Sequence, residues 1–161
     1  MTSTEHRNET QITVEQDVPM VTIIREFDAP REKVFRAHAD PELFARWNGP
    51  EARGCAIQEY DFRTGGSWRY TIESDGFLAA FHGSFHDVVP NELIVQTFTF
   101  DGVPEGVALE KLRFEDLGDG RTRLVATSLV DSFEDRDAFV ASGMETGVVE
   151  GYERLDDLLG S

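Results

Sequence analysis

The sequence predicts an α+β fold: a curved antiparallel sheet of about seven strands around a long C-terminal helix, with two short helices after the first strand. Three observations predict it. Between positions 55 and 130, six β-forming runs are separated by short turns, and short turns join antiparallel neighbours. A seventh β-branched run comes earlier and is followed by two short segments that each open on an Asp and a Pro, a helix-start signal. The end of the chain, Glu134 to Leu159, lacks proline and carries apolar residues at helical spacing.

Taken in order, residues 1–17 read as a flexible polar tail or an extra edge segment, and residues 18–161 as a single domain. Met20 to Phe27 (MVTIIREF) is rich in β-branched residues and reads as a strand. Asp28 is a plausible cap and Pro30 suits the first turn of a helix over Arg31 to His38. Asp40-Pro41 repeats the signal for a second helix, Pro41 to Trp47, which Asn48-Gly49-Pro50 ends. Cys55 to Arg63 then alternates loosely, and Thr64-Gly65-Gly66-Ser67 is a hairpin turn. Trp68, Tyr70 and Ile72 share one face of the next strand. After a turn at Ser74-Asp75-Gly76, the long strand Phe77 to Val89 puts Phe77, Ala79, Phe81, Gly83 and Phe85 on one side. Leu93 to Phe100, Val107 to Glu115 and Thr122 to Val130 complete the set. Asp131 and Ser132 offer caps for the final helix, whose apolar positions include Phe139, Val140, Met144, Val148, Leu155 and Leu158. A curved sheet and one long helix must bury their apolar faces against each other.

Composition bounds the function. The chain has 161 residues, 40% of them hydrophobic and twelve of them Phe, which fits a packed domain of ordinary size. No apolar run approaches the ~20 residues needed to span a membrane, and the start lacks the apolar core of a signal peptide, so a cytoplasmic location is expected. Cys55 is the single cysteine, so there is neither an intramolecular disulfide nor a thiolate cluster for zinc. The net charge of -16, from 31 acidic and 15 basic residues, marks an acidic protein that would be repelled by nucleic acid and by anionic membranes.

Several constellations bear on chemistry. Gly143, Gly147 and Gly151 stand four apart on one helical stripe, where each glycine costs roughly 1 kcal/mol relative to alanine. Either sheet backbone comes close there, or a ligand needs the space. Met144 beside them suits an adaptable wall. Trp47, Trp68, Tyr70, Phe81, Phe85, Phe98 and Phe139 could line a cavity, although aromatic side chains fill cores equally well. Trp47 closes a short helix before a Gly-Pro loop, at the expected mouth. His82 and His86 lie on one strand face, roughly 13 Å apart, too far to share a metal ion. Asp61 and Arg63 are placed to form an ion pair steadying the Gly65-Gly66 hairpin. No phosphate loop, nucleophile elbow or His-Glu metal helix is present, so no catalytic, metal or cofactor site is expected.

The order of elements and several motifs resemble a known family. Phe27-Asp28-Ala29-Pro30 with Val34-Phe35, Asp40-Pro41 through Trp47-Asn48-Gly49-Pro50, Asp61-Phe62-Arg63 with Gly65-Gly66 and Trp68-Arg69-Tyr70 stand in the family's order, followed by Phe81, Gly83, Pro90, Ser142-Gly143-Met144 and Gly147. The chain is similar, over about residues 20 to 159, to the family named for activators of the Hsp-90 ATPase, in its free-standing bacterial form. That family belongs to the START-like, SRPBCC helix-grip superfamily. The resemblance implies a sheet gripping a helix, with an internal cavity for small apolar or amphipathic ligands.

The function expected is hydrophobic ligand binding in a cavity between sheet and helix, with Trp47, Trp68, Tyr70, Phe81, Phe85, Phe98, Phe139, Met144 and Gly147 as its residues. One alternative is a cyclase- or aromatase-like enzyme using the same cavity, with His82, His86, Tyr70 and Glu145 as candidate acid–base groups. Another is a domain that interacts with a chaperone or regulator. The expected partner is a small hydrophobic molecule, without nucleic acid or membrane insertion, and a homodimer is compatible with the sequence.

Overall fold

The computed structural model describes residues 8–48, 55–74 and 76–160. The expected turns at Asn48-Gly49-Pro50 and Ser74-Asp75-Gly76 fall partly outside the described residues, as does the start of the tail. Eight strands are present: β1 (Gln11–Val14), β2 (Met20–Phe27), β3 (Cys55–Tyr60), β4 (Ser67–Ser74), β5 (Phe77–Val89), β6 (Leu93–Phe100), β7 (Ala108–Gly118) and β8 (Arg121–Leu129). Four helices accompany them: α1 (Arg31–Ala39), α2 (Pro41–Trp47), α3 (Phe133–Ala141) and α4 (Met144–Leu159).

The strands form one antiparallel sheet in the order β1-β2-β8-β7-β6-β5-β4-β3. From β3 to β8 every neighbour in space is a neighbour in sequence, as short turns require. The exception is β2, which pairs with β8 from Met20↔Leu129 to Phe27↔Thr122 and so brings the two ends of the domain together. Period-two patterning decides which side chains face inward. Val21, Ile23 and Phe27 on β2 and Leu124 and Ala126 on β8 are buried in one phase.

Three expectations are corrected. The count is eight strands rather than about seven, because within residues 1–17 the edge-segment alternative holds: Gln11–Val14 pairs with Val21–Ile24 as an edge strand. Its Gln-Ile-Thr-Val alternation is too short to stand out in a polar segment. Asp28 does not cap α1. Pro30 occupies that position without a side-chain cap, and the Asp28 carboxylate accepts from Arg121 Nε at 2.8 Å. Asp40 and Ser132 do cap, accepting from Glu42 N and Asp135 N at 2.9 and 3.1 Å.

The third correction concerns the long helix. Glu134 to Leu159 is two helices, α3 and α4, because Gly143 takes a left-handed conformation with φ of 91°. Glycine adopts that conformation without steric cost, and a helix cannot continue through it. The two halves of α4 differ. Its C-terminal half is buried through Gly151, Tyr152, Leu155 and Leu159, with the Tyr152 ring edge-on to Phe27 at 5.8 Å. Its first half, Met144 to Glu150, has no buried residue, although Met144 and Val148 are half-buried against the edge of the core.

Candidate functional site

Where the first half of α4 stands away from the concave face, a cavity of about 570 Å³ remains. That volume lies within the usual range for small-molecule pockets. Gly143, Thr146, Gly147 and Glu150 are exposed and also line it, so it reaches solvent along this side of α4. A Cβ at Gly143 or Gly147 would meet nothing within 4 Å. At Gly151 the nearest heavy atom is the Trp47 carbonyl oxygen, at 3.7 Å. No sheet backbone comes close to the glycine stripe; its first two members border open space.

Aromatic residues form the walls. Trp68 and Tyr70, two apart on β4, stack with centroids 5.1 Å apart. Phe98 lies 5.6 Å from Trp68 and 5.3 Å from Phe81, which in turn lies 5.5 Å from Tyr70. Gly83 makes this wall possible, because a side chain there would strike Thr97 O at 2.0 Å and the Trp68 ring at 2.7 Å. Opposite, Trp47 stacks on Tyr152 at 5.9 Å. The Trp47 indole Nε1 donates to Ala37 O at 2.9 Å and the side chain is buried, so Trp47 is a fixed wall and not a movable gate. All nine residues expected from the sequence (Trp47, Trp68, Tyr70, Phe81, Phe85, Phe98, Phe139, Met144 and Gly147) line this one cavity.

Sequence reasoning missed the polar floor. Gln96 on β6, Glu110 on β7 and Ser128 on β8 are cross-strand partners in a single row, and all three face the cavity. Gln96 Nε2 donates to Glu110 Oε1 at 3.0 Å. Burial pushes the Glu110 carboxyl above its ordinary range, and the Gln96 and Ser128 side chains oppose that shift. The Ser128 Oγ nevertheless makes no hydrogen bond of ordinary geometry. The surface Glu110 still exposes is turned to the cavity rather than to bulk water.

His38, near the end of α1, is the second missed residue. Its Nδ1 lies 2.9 Å from Val34 O, which makes Nδ1 the protonated nitrogen and leaves Nε2 a bare acceptor. Nε2 has no partner among the described residues, and burial lowers the imidazole to about 4, against a smaller upward pull from the Val34 hydrogen bond. Trp68 Nε1 is also buried without a partner among the described residues. Tyr60, whose hydroxyl donates to His38 O, and Tyr70 are both raised above the ordinary phenol range, chiefly by burial.

The acid–base candidates named from sequence fare differently. Tyr70 lines the cavity, but His82, His86 and Glu145 do not. His82 lies on the opposite face of β5, where its Nδ1 is 2.8 Å from Asp101 Oδ1 while Arg69 holds the other oxygen at 2.9 Å. His86 and Glu145 are exposed. Asp61 and Arg63 form the expected ion pair at 3.0 Å, next to the hairpin where Gly66 lies too close to Asp61 O for any side chain. Among the described residues no group of His, Cys, Asp and Glu could hold a metal ion.

Known proteins with this architecture were found among solved structures. A Mycobacterium smegmatis protein shares the fold at 23% identity, covering 93% of this chain and 96% of that one, with a TM-score of 0.83. An Arthrobacter aurescens protein is 25% identical over 93% of this chain and 91% of its own, with a TM-score of 0.84. One from Rhodobacter sphaeroides is 26% identical over 94% and 98%, with a TM-score of 0.80. No curated protein matches the chain. Residues 28–160 match the family described as activator of Hsp90 ATPase homolog 1-like protein, and on that match, together with the sheet that grips α4, the chain belongs to this family.

Proposed function

We propose that this protein binds a small hydrophobic or amphipathic molecule in the cavity between the sheet and α4. One observation carries the reading: the first half of α4 stands off an aromatic wall and leaves about 570 Å³ that reaches solvent. Such a volume suits a ligand of one to three rings. Burying ~300 Å² of apolar ligand surface would supply roughly 7 kcal/mol before the costs of association. The floor of Gln96, Glu110 and Ser128 would orient a polar group at one end. No helix among the described residues is long and apolar enough to cross a membrane. With one half-buried cysteine as well, the reading is of a cytoplasmic binding protein.

The test is uptake of the fluorescent probe 1-anilinonaphthalene-8-sulfonate, alongside native mass spectrometry of mildly purified protein. Ala126 lines the cavity from the buried phase of β8. Ala126→Phe is expected to lower probe affinity at least about tenfold by occupying the void, while circular dichroism stays unchanged. Gly147→Leu, at the opening, is expected to act in the same direction. Unchanged uptake in both variants would remove the cavity reading.

A second reading, a cyclase- or aromatase-like enzyme, is favoured by one observation: a carboxyl, Glu110, and an imidazole, His38, face the same apolar space. It requires turnover that disappears in both Glu110→Gln and His38→Gln. The regulator- or chaperone-interacting alternative draws on the family description alone.

A further inference from the structure

We infer that the ligand is a cationic amphiphile: an apolar, aromatic-compatible body carrying a protonated amine that meets Glu110. This rests on the cavity reading above and specifies the chemistry of the occupant.

Glu110 is the starting point. It lies on β7 in phase with Ala108, Leu112 and Phe114, on the inner face of the sheet. Its Oε1 accepts from Gln96 Nε2, a neutral donor. None of the ion pairs among the described residues includes it. A carboxylate taken out of water is costly unless it is paired, and no ion pair among the described residues supplies this one with a cation. A ligand cation entering from the open side of α4 would supply the missing partner.

The remaining polar atoms point the same way. Among the described residues His38 Nε2 is a buried acceptor without a donor, and the Ser128 hydroxyl, which can donate as well as accept, is the cross-strand neighbour of Glu110. His38 Nε2 and the Glu110 oxygens are acceptors on the cavity lining. Trp68 Nε1 is a buried donor on the lining without a partner among the described residues. An ammonium group has three donors and no acceptor, which suits the Glu110 oxygens and His38 Nε2. The faces of Trp68, Tyr70 and Phe98 attract a cation and would repel an anion. A net charge of -16 raises the local concentration of cations around the whole molecule.

The other titratable or charged groups on the cavity are His38, Tyr60, Tyr70, Tyr152, Glu150 and Arg154. Burial keeps the imidazole and the three phenols neutral near pH 7. Glu150 is exposed, and Arg154 is engaged at Nε by Trp47 O at 3.1 Å.

The test uses three probes with one ring system: 1-naphthylmethylamine, 1-naphthylmethanol and 1-naphthoic acid, titrated by calorimetry near neutral pH at low salt. The amine is expected to bind at least about tenfold more tightly than the alcohol, with the acid weakest, as for a charge-assisted hydrogen bond. In Glu110→Gln the amine-to-alcohol ratio is expected to collapse to near one. Alcohol binding with no amine preference overturns this inference and leaves the cavity reading standing. A preference that persists in Glu110→Gln overturns the role given to Glu110. If none of the probes binds, the cavity reading falls as well. Should the variant fail to fold, the order of the three probes on the natural protein decides the matter.

Discussion

His38 shows how one buried side chain ties the site to stability. It packs edge-on against Trp47 and Phe114, with centroids at 5.0 and 5.1 Å, and burial disfavours its charged form. Its imidazole falls from an ordinary 6.5 to about 4 in the folded protein. A lowered folded value means that stability is intact above pH 6.5 and is lost as pH falls toward 4, where the unfolded chain takes up a proton that the fold excludes. The full difference amounts to about 3 kcal/mol. Urea titrations of the natural protein and of His38→Gln at pH 7 and pH 4.5 should show the gap between them shift by about that much in favour of the variant at the lower pH. A gap that does not change with pH would mean the imidazole charges freely in place. The polar floor was legible at this scale, but only by phase. Gln96 alternates with Ile94 and Phe98, Glu110 with Leu112 and Phe114, and Ser128 with Leu124 and Ala126, so each is a polar residue in an apolar register. That the three meet in one row depends on pairings between distant strands, which no local pattern specifies.

Elements divide by what their ends reveal. Strands β2 to β8 were legible because alternation and turn residues are local properties, and the aromatic wall followed from the same period of two. The break between α3 and α4 was not, because a glycine inside a helix and a glycine ending one look alike in sequence. Gly143 and Gly83 therefore make an informative pair. At Gly143 a methyl group meets open space, so Gly143→Ala costs only the strain of a positive φ, about 1 kcal/mol. At Gly83 the obstacle is the backbone carbonyl of Thr97, held by the β5–β6 ladder, which cannot move aside. Gly83→Ala should cost about 3 kcal/mol or more and should also lower probe uptake, because Trp68 is pushed off its wall. Chemical denaturation of the two variants side by side checks this. Equal losses would show that the clash at Gly83 relaxes and that the wall is softer than its geometry implies.

Across the whole molecule, the same excess of negative charge acts on folding and on binding with opposite consequences. The sheet buries its inner face around the second half of α4, and the charge is left on the outside. Some of it is organised: Arg121 bridges Glu26 and Asp28 at 3.1 and 2.8 Å, and Arg123 reaches Glu26 and Glu115. Where such pairs lie at the surface they contribute about 0–1 kcal/mol each, and salt weakens them. Against them stands a net -16 on an 18.1 kDa chain, a self-repulsion that compaction increases and salt also weakens. Because acidic residues outnumber basic ones 31 to 15, repulsion is the larger of the two effects. Raising sodium chloride from ~0.01 to ~0.15 M shortens the screening length from roughly 30 to roughly 8 Å, so the melting temperature should rise over that range and then level off. Affinity for naphthylmethylamine should fall over the same range, whereas affinity for the uncharged alcohol stays nearly constant. A melting temperature that falls with added salt would show that the ion-pair network, and not the surplus charge, governs the folded state. The amine's salt dependence would then have to arise at Glu110 alone.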